Sequence, residues 1–266
     1  MRVGIAGVGL LAAGLEGWGK GKEVLSGKRP FEPFSMPDPD ASLLPPNERR
    51  RSSLCVRWAV QVAQEAIIES GLDPHDVATV FASSGGEMDV FDKLCRALAT
   101  SDRILSPTLF HQSVHNTAAG YWGIATACQQ SSTALSCYDD SCVAGLLEAL
   151  THVWVEERPV LFVAYDLPTP EPLNSARPIA SAFAAALLLV PTSGAAKAVM
   201  TAKLAPVDGQ EATRMFRQEF ERLRLDNPAA RILPILLALC GSLPVTVNLN
   251  YLDRQRLEVE VEPCFA

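Results

Sequence analysis

The chain has 266 residues, 48% of them apolar and 20% charged, enough to bury a substantial core in one large or two small domains. Its formal charge of −7 and pI near 5.2 exclude nucleic acid as a partner, because phosphate binding needs clustered lysine and arginine. The seven cysteines are odd in number and form no CxxC pair, and no apolar run reaches the roughly 18 residues of a membrane span. The opening segment lacks the ordered charged region and cleavage pattern of a secretory leader. These features read as a cytoplasmic protein with reduced thiols and no stable membrane insertion.

Residues 2–8 read as a buried strand ending in glycines, and the proline-rich stretch 28–47 as an extended loop. The basic run Arg49-Arg50-Arg51 behind a proline pair reads as a solvated turn before a helix, or as a contact for an acidic carrier protein. Residues 52–70 place Val56, Ala59, Val60, Ala63, Ile67 and Ile68 at helical spacing, with Gly71 as the stop. A strand at 77–82 runs into Ser83-Ser84-Gly85-Gly86, and 87–99 look helical. The small residues of 114–127 suit a helix packed closely on another backbone.

Next come a strand at 132–137 and a small-residue helix at 140–153 with Asp139 or Asp140 at its start. Strands follow at 159–165 and 183–190, then a charged helix at 209–224 and an apolar one at 228–240. The alternating segments 245–251 and 257–262 form a hairpin. Strands alternating with helices make an α/β layered domain with a largely buried, mixed sheet.

Three constellations carry chemistry. Gly7-Val8-Gly9-Leu10-Leu11-Ala12 matches a dinucleotide fingerprint, but the second strand and its acidic residue are absent, so it reads as a tight strand-to-loop exit. His111 and His115, four apart, would share a helical face; a zinc site wants a third ligand and a glutamate where Gln112 stands, so no metal is expected. They read instead as lining a pocket or interface. Cys137 and Cys142 bracket Tyr138-Asp139-Asp140-Ser141 at a strand-to-helix junction. A thiol there is either a nucleophile favoured by the helix N-terminus or a buried small apolar group. The two aspartates would raise its pKa.

Taken together, six segments resemble the N-terminal half of β-ketoacyl-acyl carrier protein synthases, in that family's order. They are Ile5-Ala6-Gly7-Val8-Gly9, Glu65-Ala66-Ile67-Ile68-Glu69-Ser70-Gly71-Leu72, Ala82-Ser83-Ser84-Gly85-Gly86, Asn116-Thr117-Ala118-Ala119-Gly120, Val160-Leu161-Phe162-Val163-Ala164 and 183–190. The resemblance covers residues 2–205. It implies a thiolase-like layered α/β/α half-fold, with residues 1–206 as a ketosynthase-like N-terminal domain. Residues 207–266 would be reduced C-terminal helices and a hairpin packed on it.

In that family a nucleophilic cysteine sits at the strand-to-helix elbow, and histidines from a C-terminal half support the chemistry. Here the elbow falls near Asp140, within a few residues of Cys137 and Cys142, and no histidine follows His152. The resemblance therefore points to a non-catalytic, chain-length-factor-like subunit without cofactors, in which Asp139, Asp140 and Ser141 form a degenerate elbow and Asp140 caps the helix. Its partner would be an active ketosynthase in a heterodimer, with acyl carrier protein as a further contact. Residues 132–137 would pair with a partner strand. His111, His115, Asn116, Thr117, Ala118, Tyr121 and Trp122 would face the partner's acyl tunnel, Tyr121 and Trp122 closing its floor. The stretches 110–122 and 138–141 resemble the short ketosynthase-like proteins of bacterial aryl polyene clusters. Two alternatives stay open: an active condensing enzyme or acyltransferase using Cys137 or Cys142, and an acyl-carrier-protein docking module.

Overall fold

The computed structural model describes every residue except 34, 35, 194, 208, 210, 265 and 266. Its first strand, β1 (Arg2–Ala12), shows how the sequence sets two faces. Val3 and Ile5 point to one face, and so do Val8, Leu10 and Ala12, while Ala6 and Leu11 point to the other. The parity changes from odd to even because a register shift falls between Ile5 and Gly7. The strand thus keeps its large residues on one face despite a pattern that does not strictly alternate.

After β2 (Leu15–Glu16) and α1 (Trp18–Leu25), the described residues up to 45 form no helix or strand, and α2 (Pro46–Arg51) follows. The long helix α3 (Leu54–Ser70) starts where Ser53 Oγ accepts the Val56 amide and stops at Gly71 in the left-handed region. It lies directly on β1. A Cβ on Gly7 or Gly9 would sit 2.0 Å from the carbonyl oxygen of Ala66 or Val62, so both positions require glycine. Glu65 and Glu69 of α3 accept the backbone amides of Leu10 (2.9 Å) and Val8 (2.5 Å). They take over where the neighbouring strand, paired only with residues 2–5, has left β1.

The remaining elements are β3 (Ala78–Ala82), α4 (Met88–Leu98), α5 (Pro107–Gln112), α6 (Thr117–Thr126), β4 (Ser132–Leu135) and α7 (Ser141–Glu156). Then come β5 (Val160–Asp166), β6 (Phe183–Val190), β7 (Ala198–Pro206), α8 (Gln218–Asp226), α9 (Leu233–Ala238), β8 (Val245–Tyr251) and β9 (Gln255–Pro263). They form one mixed sheet in the order β4-β3-β5-β6-β1-β7-β9-β8, with β2 paired to β1. β3 runs parallel to β4 and β5, whereas β5 meets β6, and β6 meets β1, antiparallel. One face is covered by α7 with α1, α8 and α9; the other by α3 and α6. β3, β5 and β6 are buried along their whole length, as continuous apolar strands between two helical layers must be. This is the layered α/β arrangement expected from the sequence.

Several local expectations change. Gly7 to Ala12 lie inside β1 and no helix follows them directly, so they form neither a nucleotide loop nor a strand exit. Ile68 is exposed, at the outer margin of α3. β7 was not anticipated; its outer half is exposed and its pattern weak. The charged helix expected at 209–224 is confined to Gln218–Asp226, and before it the Thr213 amide bonds to Asn248 of β8 instead (residue 210 is outside the described residues). The 228–240 segment splits into a 3₁₀ turn at Pro228–Ile232 and α9. The strand at 132–137 ends at Leu135. The helix expected from 114 begins at Thr117, leaving His115 and Asn116 outside it.

Candidate functional site

Parallel β3 and β4 end in register at Ala82 and Leu135, beside Ala164 of β5, which runs on to Asp166. Their C-terminal ends place Ser83, Cys137 and Asp166 around the start of α7, the usual position for chemistry in an open α/β sheet. The link from β4 to α7 is a sharp elbow. Tyr138 adopts a positive φ of 51° and Ser141 Oγ accepts the Cys137 amide (2.8 Å) while donating to the Tyr138 carbonyl (2.6 Å).

Two arginines fill this elbow. Arg177 Nη1 lies 2.6 Å from Asp139 Oδ1, and its guanidinium sits 3.9 Å from the centre of the Tyr138 ring. Arg231, from the 3₁₀ turn before α9, pairs with Asp140 Oδ1 (2.9 Å) and Asp139 Oδ2 (3.3 Å). The Leu252 amide in the β8–β9 turn donates to Asp140 Oδ2 (3.1 Å). Asp140 therefore does not cap α7 with its side chain, as the sequence suggested; it ties the elbow to the C-terminal segment. Both carboxylates are committed to ion pairs, so neither is a free base.

Cys142 is buried in the first turn of α7, and burial pushes its thiol up to about 12, partly opposed by Arg231 and reinforced by Asp166. The cause is desolvation rather than the paired aspartates, which the arginines neutralise. Cys137 is half-buried at the elbow. Among the described residues no histidine hydrogen-bonds to either cysteine: His115 donates from Nε2 to the Ser83 carbonyl (3.0 Å), and His152 lies between Glu148 and Glu156.

Behind the elbow, Asp166 accepts the Ser83 hydroxyl and both the amide and hydroxyl of Ser84, each at 2.9 Å. Burial raises its carboxyl to about 6 despite these bonds, which pull the other way. Glu87 is buried on the far side of the same turn, where burial raises it to about 7 against the lowering effect of the Ser53 hydroxyl at 2.8 Å. Sequence reading missed Arg177, Arg231, Asp166 and Glu87. The one available signal was the adjacent Asp139-Asp140 pair, which calls for a cation without saying which.

The second feature is an open groove of about 830 Å³ between α2, α5 and α6. Phe110, Val114, Tyr121 and Ile124 give it apolar walls, and Arg51, Glu48 and His111 a charged and polar rim. The buried Gln112 amide donates to the Arg51 carbonyl and the Tyr121 hydroxyl, fixing one wall. Of the expected tunnel residues, His111, Asn116, Thr117 and Tyr121 line this groove. Ala118 and Trp122 do not; they are buried in the core shared with α3. His111 and His115 do not share a helical face, since α5 ends at Gln112. His115 does not line the groove; its Nε2 bonds the Ser83 carbonyl just after β3. Among the described residues no cluster of three potential metal ligands occurs.

Residues 26–227 match the model of the β-ketoacyl synthase N-terminal domain. The chain belongs to that family. As a β-ketoacyl synthase domain it has close structural counterparts. It superposes on one chain of a complex of a ketosynthase with its chain length factor from Xenorhabdus doucetiae with a TM-score of 0.72 and 25% identity, covering 97% of this chain and 99% of the other. It superposes on the ishigamide ketosynthase/chain length factor with a TM-score of 0.74 at 10% identity over the full length of both chains. A type II polyketide ketosynthase–acyl-carrier-protein complex gives 0.74 at 15%, covering 99% of each. The last two establish the thiolase-like fold alone. No match to a curated protein is found. Among the described residues no helix is long and apolar enough to cross a membrane.

Proposed function

We propose that this β-ketoacyl synthase domain is the non-catalytic, chain-length-factor-like member of a pair whose other subunit is an active β-ketoacyl-acyl carrier protein synthase, working in polyene or fatty-acid-type polyketide synthesis. One observation carries the reading: the elbow where the family holds its nucleophile contains Asp139 and Asp140, neutralised by Arg177 and Arg231, beside a Cys142 thiol that burial keeps protonated. Cys142 therefore supplies no thiolate to receive an acyl group, and no histidine among the described residues hydrogen-bonds to Cys142 or Cys137 to support acyl transfer. Two features support a partner. β4 is an end strand with small, partly exposed residues, able to continue its sheet into a second subunit. The groove beside α6 presents Phe110, Val114 and Ile124 as exposed apolar surface, as a wall shared with another chain would. The likeness to a ketosynthase with its chain length factor favours the same arrangement.

Within this reading Tyr121, not Trp122, limits the acyl chain, because of these two buried residues only Tyr121 also lines the groove. Co-expression with an active β-ketoacyl-acyl carrier protein synthase from the same source tests it. The two chains should co-purify as a 1:1 complex, and Tyr121→Ala should lengthen the product while Trp122→Ala should mainly destabilise the fold. Independent migration of the two chains would reject the pairing. An unchanged product with Tyr121→Ala would reject the limiting role.

A further inference from the structure

The two ends of the sheet are finished differently. At one end the outer edge of β4 meets no strand among the described residues. At the other, β8 reads Val-Thr-Val-Asn-Leu-Asn-Tyr, without proline, lysine or arginine. A bare edge of that composition recruits further strands. Alternate residues of β8 turn their backbone groups towards β9 and away from it, and Asn248 is one that faces outward. Its carbonyl accepts the Thr213 amide (2.9 Å) and its amide donates to Thr213 Oγ1 (2.9 Å). Thr213 thus occupies both backbone positions at the centre of the edge, as an incoming strand would.

The segment is anchored on its C-terminal side. Met215 is buried and its amide donates to Glu221 Oε2 (2.8 Å). Arg217 donates to the Val24 carbonyl (3.3 Å), and its guanidinium lies 4.7 Å from the centre of the Phe220 ring. We infer that residues 211–217 are an edge cover that denies β8 to a second copy of this chain, so that strand addition is confined to β4 and assembly through the sheet closes at two subunits. The β4 half of this inference rests on the pairing proposed above; the β8 half does not.

The test uses the full chain with Thr213→Ser, Thr213→Ala and Thr213→Pro, following exchange of the Asn248 amide by nuclear magnetic resonance and mass by light scattering across concentration. Thr213→Ser keeps the acceptor, so Asn248 should exchange as slowly as in the wild type. Thr213→Ala should speed it about fivefold, the effect of losing one hydrogen bond. Thr213→Pro also removes the amide donor and should gain mass as concentration rises. Equal Asn248 exchange in the wild type and Thr213→Ala overturns the inference. So does a Thr213→Pro protein with native circular dichroism that keeps the wild-type mass at every concentration. If Thr213→Pro does not fold, the alanine and serine variants decide. A wild-type chain that binds no ketosynthase would defeat the β4 half while leaving these outcomes in place.

Discussion

Arg231 is the cation on which the elbow depends most, and Arg231→Met removes its charge while keeping most of its apolar stem. The side chains of Arg231 and Asp140 are 25% and 22% exposed, and that of Asp139 is 43% exposed. Removing one partner of a fully buried pair costs about 3–5 kcal/mol, whereas an exposed pair contributes about 0–1 kcal/mol. A pair about three-quarters buried falls between, at about 2 kcal/mol. Asp139 retains Arg177, so most of the loss belongs to Asp140, left with the Leu252 amide. In urea unfolding followed by circular dichroism, with a slope of about 2–3 kcal/mol per molar, the midpoint should fall by about 0.7–1 M. Adding Asp140→Asn removes the stranded charge and should recover roughly half of the loss, since neighbouring sites do not add. A midpoint shift below about 0.2 M, or a double variant costing the full sum of the singles, would refute the reasoning.

Acidity gives a second check. Glu87 and Asp166 have folded-state pKa values of about 7 and about 6, raised from 4.5 and 3.8. Each contributes stability that is complete below its unfolded value and lost as pH rises through its folded value. The urea midpoint should therefore increase on acidification from pH 8 to 5, and Glu87→Gln should remove up to about 3 kcal/mol of that dependence. A wild-type midpoint that is flat or falls across this window contradicts the burial argument. Thiol reactivity gives a third: with native protein at pH 8, iodoacetamide should modify exposed Cys95 and spare Cys142, whose thiolate fraction is about 10⁻⁴. Tryptic mass mapping reads the difference, and alkylation of Cys142 at a rate comparable to Cys95 would contradict it.

The elements that define the sheet were legible because their patterns are strong. α3 has helical spacing with Ser53 and Gly71 at its ends, and β5 and β6 are uninterrupted apolar runs. β7 was not, because its second half leaves the core and loses its periodicity. The extension of β1 to Ala12 was hidden by glycines that mark close contact with α3 rather than a turn. The stretch 211–217 has helix-compatible charges, but its Thr213 amide is used on β8. At the elbow, Asp139 and Asp140 were visible, yet Arg177 and Arg231 lie 38 and 91 residues away and only the fold brings them in. The groove follows the same rule. Tyr121 and Trp122 are adjacent and both buried against α3, yet helix geometry lets only Tyr121 also line the groove.

The central claim is that this elbow takes no acyl group. Intact-protein mass spectrometry of the isolated chain after incubation with an acyl-loaded carrier protein tests it most directly. The unmodified mass should persist, with transfer appearing only on the ketosynthase partner when that subunit is added. An acyl thioester on Cys137 or Cys142 of the chain alone would contradict the account.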